Sequence, residues 1–209
     1  MPKLGMEPVR REQIRKAAAS IVAKLGFIRT TLADVAKAAK VSTGMINHYY
    51  ANKTALLIET LNYTSEDTQA NMRKECRGKQ GMEKIAILAK ASMNPGRRGL
   101  VNSRIWAWAI AEAIHSKEMS AAIQRRRDAF QELLLEIVYE IAPDLRERQA
   151  DALALAAELD AYITGLSVYS VSGGRHIEFD AVERSLTAMI LHGVKPAAEK
   201  TAAAAVEAA

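Results

Sequence analysis

Apolar residues recur at spacings of three and four along almost the whole of this chain, and neither an alternating β-branched run nor an Asn-Gly hairpin turn interrupts them. That periodicity confines the chain to an all-α fold of about nine helices. The first is expected over roughly 8–25, where Ile14, Ala18, Ile21, Val22 and Leu25 make one stripe and Gly26 follows as a C-terminal stop. A second starts at Thr31, with Asp34 three residues on as a capping box. A short third follows Ser42, and a fourth runs from Asn52 to about residue 77. Five more are expected near 82–93, 100–115, 117–141, 146–171 and 180–192, separated by Asn94-Pro95-Gly96, Ser116, Pro143 and Gly173-Gly174. The expected organisation is a three-helix unit over 1–55, a helical bundle over 56–196 and an Ala-rich tail over 197–209.

Charge separates the two ends of the chain. Residues 1–55 carry ten Lys and Arg against three Asp and Glu, a net +7, while the remainder carries nineteen against twenty-one, a net −2. A basic unit on a slightly acidic body points to a polyanionic partner. No apolar run approaches the roughly 18–20 residues of a membrane span, and the start has no secretory pattern. The one cysteine, Cys76, has no internal disulfide partner, and the four histidines are scattered, so neither zinc nor another metal is expected. These features fit a cytoplasmic protein without a cofactor. Phosphate-binding Gly-rich loops, nucleophile elbows and HExxH pairs are missing from the sequence, so an enzyme is not expected.

The segment from Thr31 to Lys53 carries the function. Two short helices joined by a tight turn, the second capped by Ser42, make a helix-turn-helix. Its second helix suits the major groove of duplex DNA. Thr43, Asn47 and His48 are polar and short enough to reach base edges, and Gly44 lets the backbone come close. Tyr49 and Lys53 suit phosphates, while Thr30, Thr31 and the helix start behind them offer N–H groups to a phosphate. Val35, Ala36, Ala39, Val41 and Ile46 read as core. A helical ligand-binding adaptor without DNA binding is the competing class; the basic N-terminal quarter and the Ser42-x-Gly44 pair argue against it.

The pattern Thr31-x3-Val35-Ala36-x2-Ala39-x-Val41-Ser42-x-Gly44-x-Ile46-x-His48-Tyr49-Tyr50-x2-Lys53-x2-Leu56 resembles the DNA-binding signature of the TetR family of transcriptional repressors. The opening MPKLGMEPVRREQI, with VSTG and HYY, is similar to the BetI-type, choline-responsive members. Two positions depart from the family pattern. Lys40 stands where the family usually has Gly, which costs roughly 1 kcal/mol if the backbone there is left-handed. Asn47 stands where Tyr is common, and Asn can read adenine bidentately.

The resemblance implies that the C-terminal bundle holds a small-molecule effector and that the chain is a homodimer on operator DNA. Trp106 and Trp108 lie on one expected helix, where Trp108 and Glu112 continue to His115. Glu158, Tyr162 and Tyr169 form a similar stripe on another. An aromatic face beside an acid can hold a quaternary ammonium such as choline by cation–π attraction, so Trp106, Trp108, Glu112, Tyr162 and Tyr169 are the candidate effector residues. The same residues also fit an ordinary aromatic core with surface acids. For the dimer, the small residues Ala150, Ala152, Ala154, Ala156, Ala157, Ala161 and Gly165, with Val182, Leu186, Met189 and Ile190, suit a four-helix interface; the same two helices also fit an intramolecular core.

Overall fold

The computed structural model describes residues 7–93, 96–174 and 176–193. The Ala-rich tail lies outside the described residues. Among them the chain forms nine α-helices: α1 Glu7–Arg29, α2 Leu32–Ala39, α3 Thr43–Tyr49, α4 Lys53–Cys76, α5 Met82–Ser92, α6 Gly96–Ala113, α7 Lys117–Ile141, α8 Gln149–Val171 and α9 Phe179–Gly193. A 3-10 turn, Pro143–Arg146, joins α7 to α8.

Local chemistry sets the N-terminal boundaries. Thr31 Oγ1 accepts the Asp34 N–H at 3.1 Å while Asp34 Oδ2 accepts the Thr31 N–H at 3.1 Å, so two orphan donors of α2 are satisfied reciprocally. The Thr31 hydroxyl, which donates to Asp34 Oδ2 at 2.6 Å, and the Thr31 N–H together hold the Asp34 carboxyl below its usual pKa. Ser42 Oγ accepts the Met45 N–H and caps α3; Asn52 Oδ1 accepts the Ala55 N–H and caps α4. Lys40 closes α2 in the left-handed region, at φ 53° and ψ 44°. Lys40→Gly is therefore expected to raise the unfolding free energy by about 0.5–1 kcal/mol in denaturant titrations. No gain would mean that the lysine side chain offsets the strain.

The first helix breaks at Gly26, where its end is expected, and a short further turn completes α1. Gly26 sits at φ 79° and ψ 169°, a conformation nearly exclusive to glycine, and the chain then makes another helical turn. Phe27 re-enters the core at this turn, 2% exposed.

Three apolar cores follow one another along the molecule. The N-terminal one joins Ile14 and Ala18 of α1, Val35, Ala36 and Ala39 of α2, Ile46 of α3, Tyr50 and Leu56 of α4. The central one joins the second half of α1 (Val22, Phe27) with Leu57 and Leu61 of α4, Ile105 and Ala109 of α6 and Met119 of α7. The third packs α5, the end of α7, the 3-10 turn, α8 and α9, with Met72 of α4 at its edge. Helices α1 and α4 thus run through more than one core. Each can carry a displacement in the bundle to the helix-turn-helix as a rigid element.

Candidate DNA-reading surface and effector cavity

Helix α3 buries one residue, Ile46, and the core beneath it fixes which side faces out. Thr43, Gly44, Asn47 and His48 are all exposed on that outward side. Around Gly44 only Ser42 Oγ stands near the place a Cβ would take, at 3.8 Å, so a backbone or phosphate can approach closely. The His48 ring meets the edge of Tyr49 at 5.2 Å, and the Arg11 guanidinium lies 5.3 Å from the Tyr49 ring centre. Tyr49 is half-buried, whereas Tyr50 is buried. Burial pushes the Tyr50 phenol up from its usual pKa.

The remaining expected contacts have partners inside the chain. Thr30 is 1% exposed; its hydroxyl donates to the Gly26 carbonyl at 2.7 Å and its N–H to the same carbonyl at 3.2 Å. The Thr31 hydroxyl and N–H both donate to Asp34. Lys53 Nζ donates to the Ile28 carbonyl at 2.9 Å, which parks the ammonium beside the start of α2. It still has two further protons to give.

A cavity of about 150 Å³ opens among α4, α5, α6, α7 and α8. Its apolar wall includes Leu61, Met72, Trp106, Phe130 and Ile163; its polar wall includes Thr68, Asn102, Arg126, Arg127, Asp160 and Thr164. Asp160 is 5% exposed and accepts hydrogen bonds from Thr164 Oγ1 at 3.2 Å and Gln131 Nε2 at 3.3 Å. Burial raises its pKa, and these two donors together with Arg127 oppose the rise. Arg126 reaches Glu66 at 3.6 Å, an open contact because the glutamate is largely solvated. Asn102 Nδ2 donates to Thr68 Oγ1 at 2.7 Å and ties α6 to α4 across the mouth.

Of the five expected effector residues, the cavity takes only Trp106. Trp108 is 42% exposed and lies over Gly26. Tyr162 packs against the core of α5, α7, α8 and α9. Glu112 is half-buried and Tyr169 exposed, and neither lines the cavity. The sequence reasoning missed Phe130, Arg126, Arg127 and Asp160. Asp160 had a readable signal, since it interrupts the apolar stripe of Leu155, Ala156, Leu159 and Ile163.

Taken together, a capped helix-turn-helix with a polar outward face, set on a basic unit and joined to a hollow helical bundle, defines a DNA-binding transcriptional regulator. Comparison with known proteins makes this specific. Residues 14–60 match the family model for bacterial regulatory proteins of the tetR family, and residues 83–207 match that for the BetI-type transcriptional repressor, C-terminal. The HTH-type transcriptional regulator BetI of Klebsiella pneumoniae (strain 342) is 29% identical over 188 residues, 90% of this chain and 94% of that protein. Two solved structures share the fold. A protein from Rhodococcus sp. described as a TetR-family transcriptional regulator has a TM-score of 0.74 at 20% identity, covering 89% of this chain and 98% of that one. A protein from Saccharomonospora viridis, described as a transcriptional regulator and solved in complex with choline, has a TM-score of 0.73 at 18% identity, covering 88% and 97%. The chain belongs to the tetR family of bacterial regulatory proteins, with a C-terminal region of the BetI repressor type.

Proposed function

We propose that the chain is a homodimeric, cytoplasmic repressor that holds its operator through two copies of the 1–55 unit and releases it when a small molecule fills the cavity of the 56–196 unit. The observation that carries this reading is the outward face of α3, where Thr43, Gly44, Asn47 and His48 stand exposed over the buried Ile46. Such a face places three polar side chains and one bare backbone position in the major groove. Tyr49 and Lys53 flank it and reach phosphates. Thr30 and Thr31 act by fixing the start of α2, whose Leu32 and Ala33 N–H groups have no intrahelical partners and can meet a phosphate. The reading contains no catalytic step. Among the described residues no helix is long and apolar enough to cross a membrane.

The dimer rests on α8. Ala150, Leu153, Ala154, Ala157, Ala161 and Gly165 are exposed along one strip of this helix, and Leu191 of α9 is 54% exposed, whereas Ala152, Ala156, Val182, Leu186 and Ile190, expected at the interface, are buried in the core of their own chain. Small side chains over that length let a second copy approach closely, and two half-sites on DNA require two reading heads.

Release follows from helix α6. Trp106 lines the cavity, and Trp108, two residues on, covers Gly26 at the exit of α1. A ligand that favours one position of α6 therefore biases the position of α1, and operator affinity falls by that differential free energy. The choline complex of the Saccharomonospora viridis protein supports a small-molecule effector. In this chain Trp106, Phe130 and Asp160 are the groups that suit a quaternary ammonium.

Two substitutions separate base reading from phosphate binding. Asn47→Ala is expected to weaken specific binding by roughly 1–3 kcal/mol and to relax preference at one base pair, with nonspecific DNA bound as before. Lys53→Ala is expected to weaken all duplexes about equally and to reduce the salt slope by roughly one. Anisotropy titrations against an operator and its single-base variants check both; an unchanged preference removes Asn47 from the reading set.

A further inference from the structure

We infer that the cavity is built for a small organic anion, a carboxylate on a compact apolar body, received by Arg126 and Arg127. The inference rests on the reading of the cavity as the effector site and names the chemistry of its ligand. Two guanidinium groups and one carboxylate stand in the wall, an excess of positive charge. Nε and Nη2 of Arg126 and Nε of Arg127 are buried without a hydrogen-bond acceptor. A buried charged donor without an acceptor is costly, and a ligand that brings an acceptor relieves that cost. Asp160 lies near enough to Arg127 to feel its charge, but its oxygens accept from Thr164 and Gln131 and make no hydrogen bond or ion pair with either arginine. Glu66 approaches only Arg126, at 3.6 Å, and from the solvent side.

The opposite wall sets the rest of the ligand. Leu61, Trp106, Phe130 and Ile163 offer apolar and aromatic contact. The volume suits roughly six to eight non-hydrogen atoms, on the scale of a cavity that takes benzene. A cation with no anionic group, choline included, would meet the arginine pair with nothing to offer it.

Four near-isosteric probes separate the charges: 3,3-dimethylbutyrate (anion), glycine betaine (zwitterion), choline (cation) and 3,3-dimethylbutanol (neutral). Calorimetric titration of the full-length protein is expected to give the two carboxylates about tenfold or more tighter binding than choline and the alcohol. Arg126→Gln and Arg127→Gln together are expected to erase that preference, while Asp160→Asn retains it. Equal or tighter binding of choline overturns the inference, as does a failure of both carboxylates to bind or a preference that survives loss of both arginines. Choline binding that Trp106→Ala abolishes would keep the cavity as the effector site while the anion is discarded. Carboxylate binding that leaves the operator complex intact would keep the anion site while the release mechanism is discarded.

Discussion

Gly26→Ala is expected to lower the unfolding free energy by about 2–5 kcal/mol, from left-handed strain of roughly 1–3 kcal/mol and overpacking of similar size. Both causes are local. At φ 79° and ψ 169° an L side chain is strained whatever the space around it. The added Cβ would also stand 2.8–3.0 Å from Cε2, Cζ2 and Cδ2 of Trp108. The far end of the indole is partly in solvent, so the ring can move, but only by leaving the exit of α1. Thermal unfolding should show a drop of roughly 5–15 °C for a chain of this size. In a Trp108→Ala background the same change should cost only the backbone strain, about 1–3 kcal/mol. An equal loss in both backgrounds would place the whole effect in the backbone and remove Trp108 from the junction.

Ile46→Ala is the second large effect, about 2–5 kcal/mol of stability lost in the N-terminal core. Ile46 is the one fully buried residue of α3, with half-buried Tyr49 packed against the same core. Its neighbours in that core include Ile14, Val35 and Tyr50, too few to collapse onto the vacancy without moving α3. Hydrogen exchange should therefore accelerate in α2 and α3 before it does in α7 and α8. Operator binding should fall far more than the stability loss alone removes at low temperature, because the reading face loses its seat. The adjacent Asn47→Ala supplies the contrast, since an exposed residue should alter DNA binding and leave the melting temperature nearly unchanged. A folded Ile46→Ala protein with unaltered operator affinity would show that α3 does not read DNA.

Which parts of this architecture were legible depends on how far apart the cooperating residues lie. The caps at Thr31, Ser42 and Asn52 each need only a hydroxyl or amide three residues before an N–H, and all three form as expected. The left-handed backbone at Lys40 was signalled by the resemblance, in which glycine is usual at that position, and φ 53° and ψ 44° bear it out. Helix ends that depend on distant packing were not visible. Gly26 breaks the helix as expected, but Phe27 belongs to the central core and a further helical turn runs on to Arg29. Helix α6 begins at Gly96, four residues before its expected start, because its first turn is exposed and polar and leaves no apolar period to detect. Leu145 is fully buried and turns the expected start of α8 into a separate 3-10 turn.

The reading face and the cavity differ in the same way. Thr43, Gly44, Asn47 and His48 share one short helix, so its period alone groups them. The cavity draws on five helices, and no local pattern records which face of each turns toward the others. Trp106 and Trp108 could be assigned to different sides of one helix, yet not to the cavity and the α1 junction respectively. Arg126 and Arg127 sit in the run Arg125-Arg126-Arg127, which reads as a solvated surface until packing buries two of its members partway.

On the proposed mechanism, a small molecule in the bundle controls the grip of α3 on DNA. The direct measurement is an anisotropy titration of the purified protein against duplex DNA from upstream of its own coding sequence. It should be run at two salt concentrations, with and without each of the four probes. The expected result is tight binding that weakens steeply with salt and is relieved by at least one probe in wild-type protein, but not in the protein with both arginines replaced. Failure to bind any duplex, at either salt concentration, would contradict it and leave a helical ligand-binding adaptor in its place.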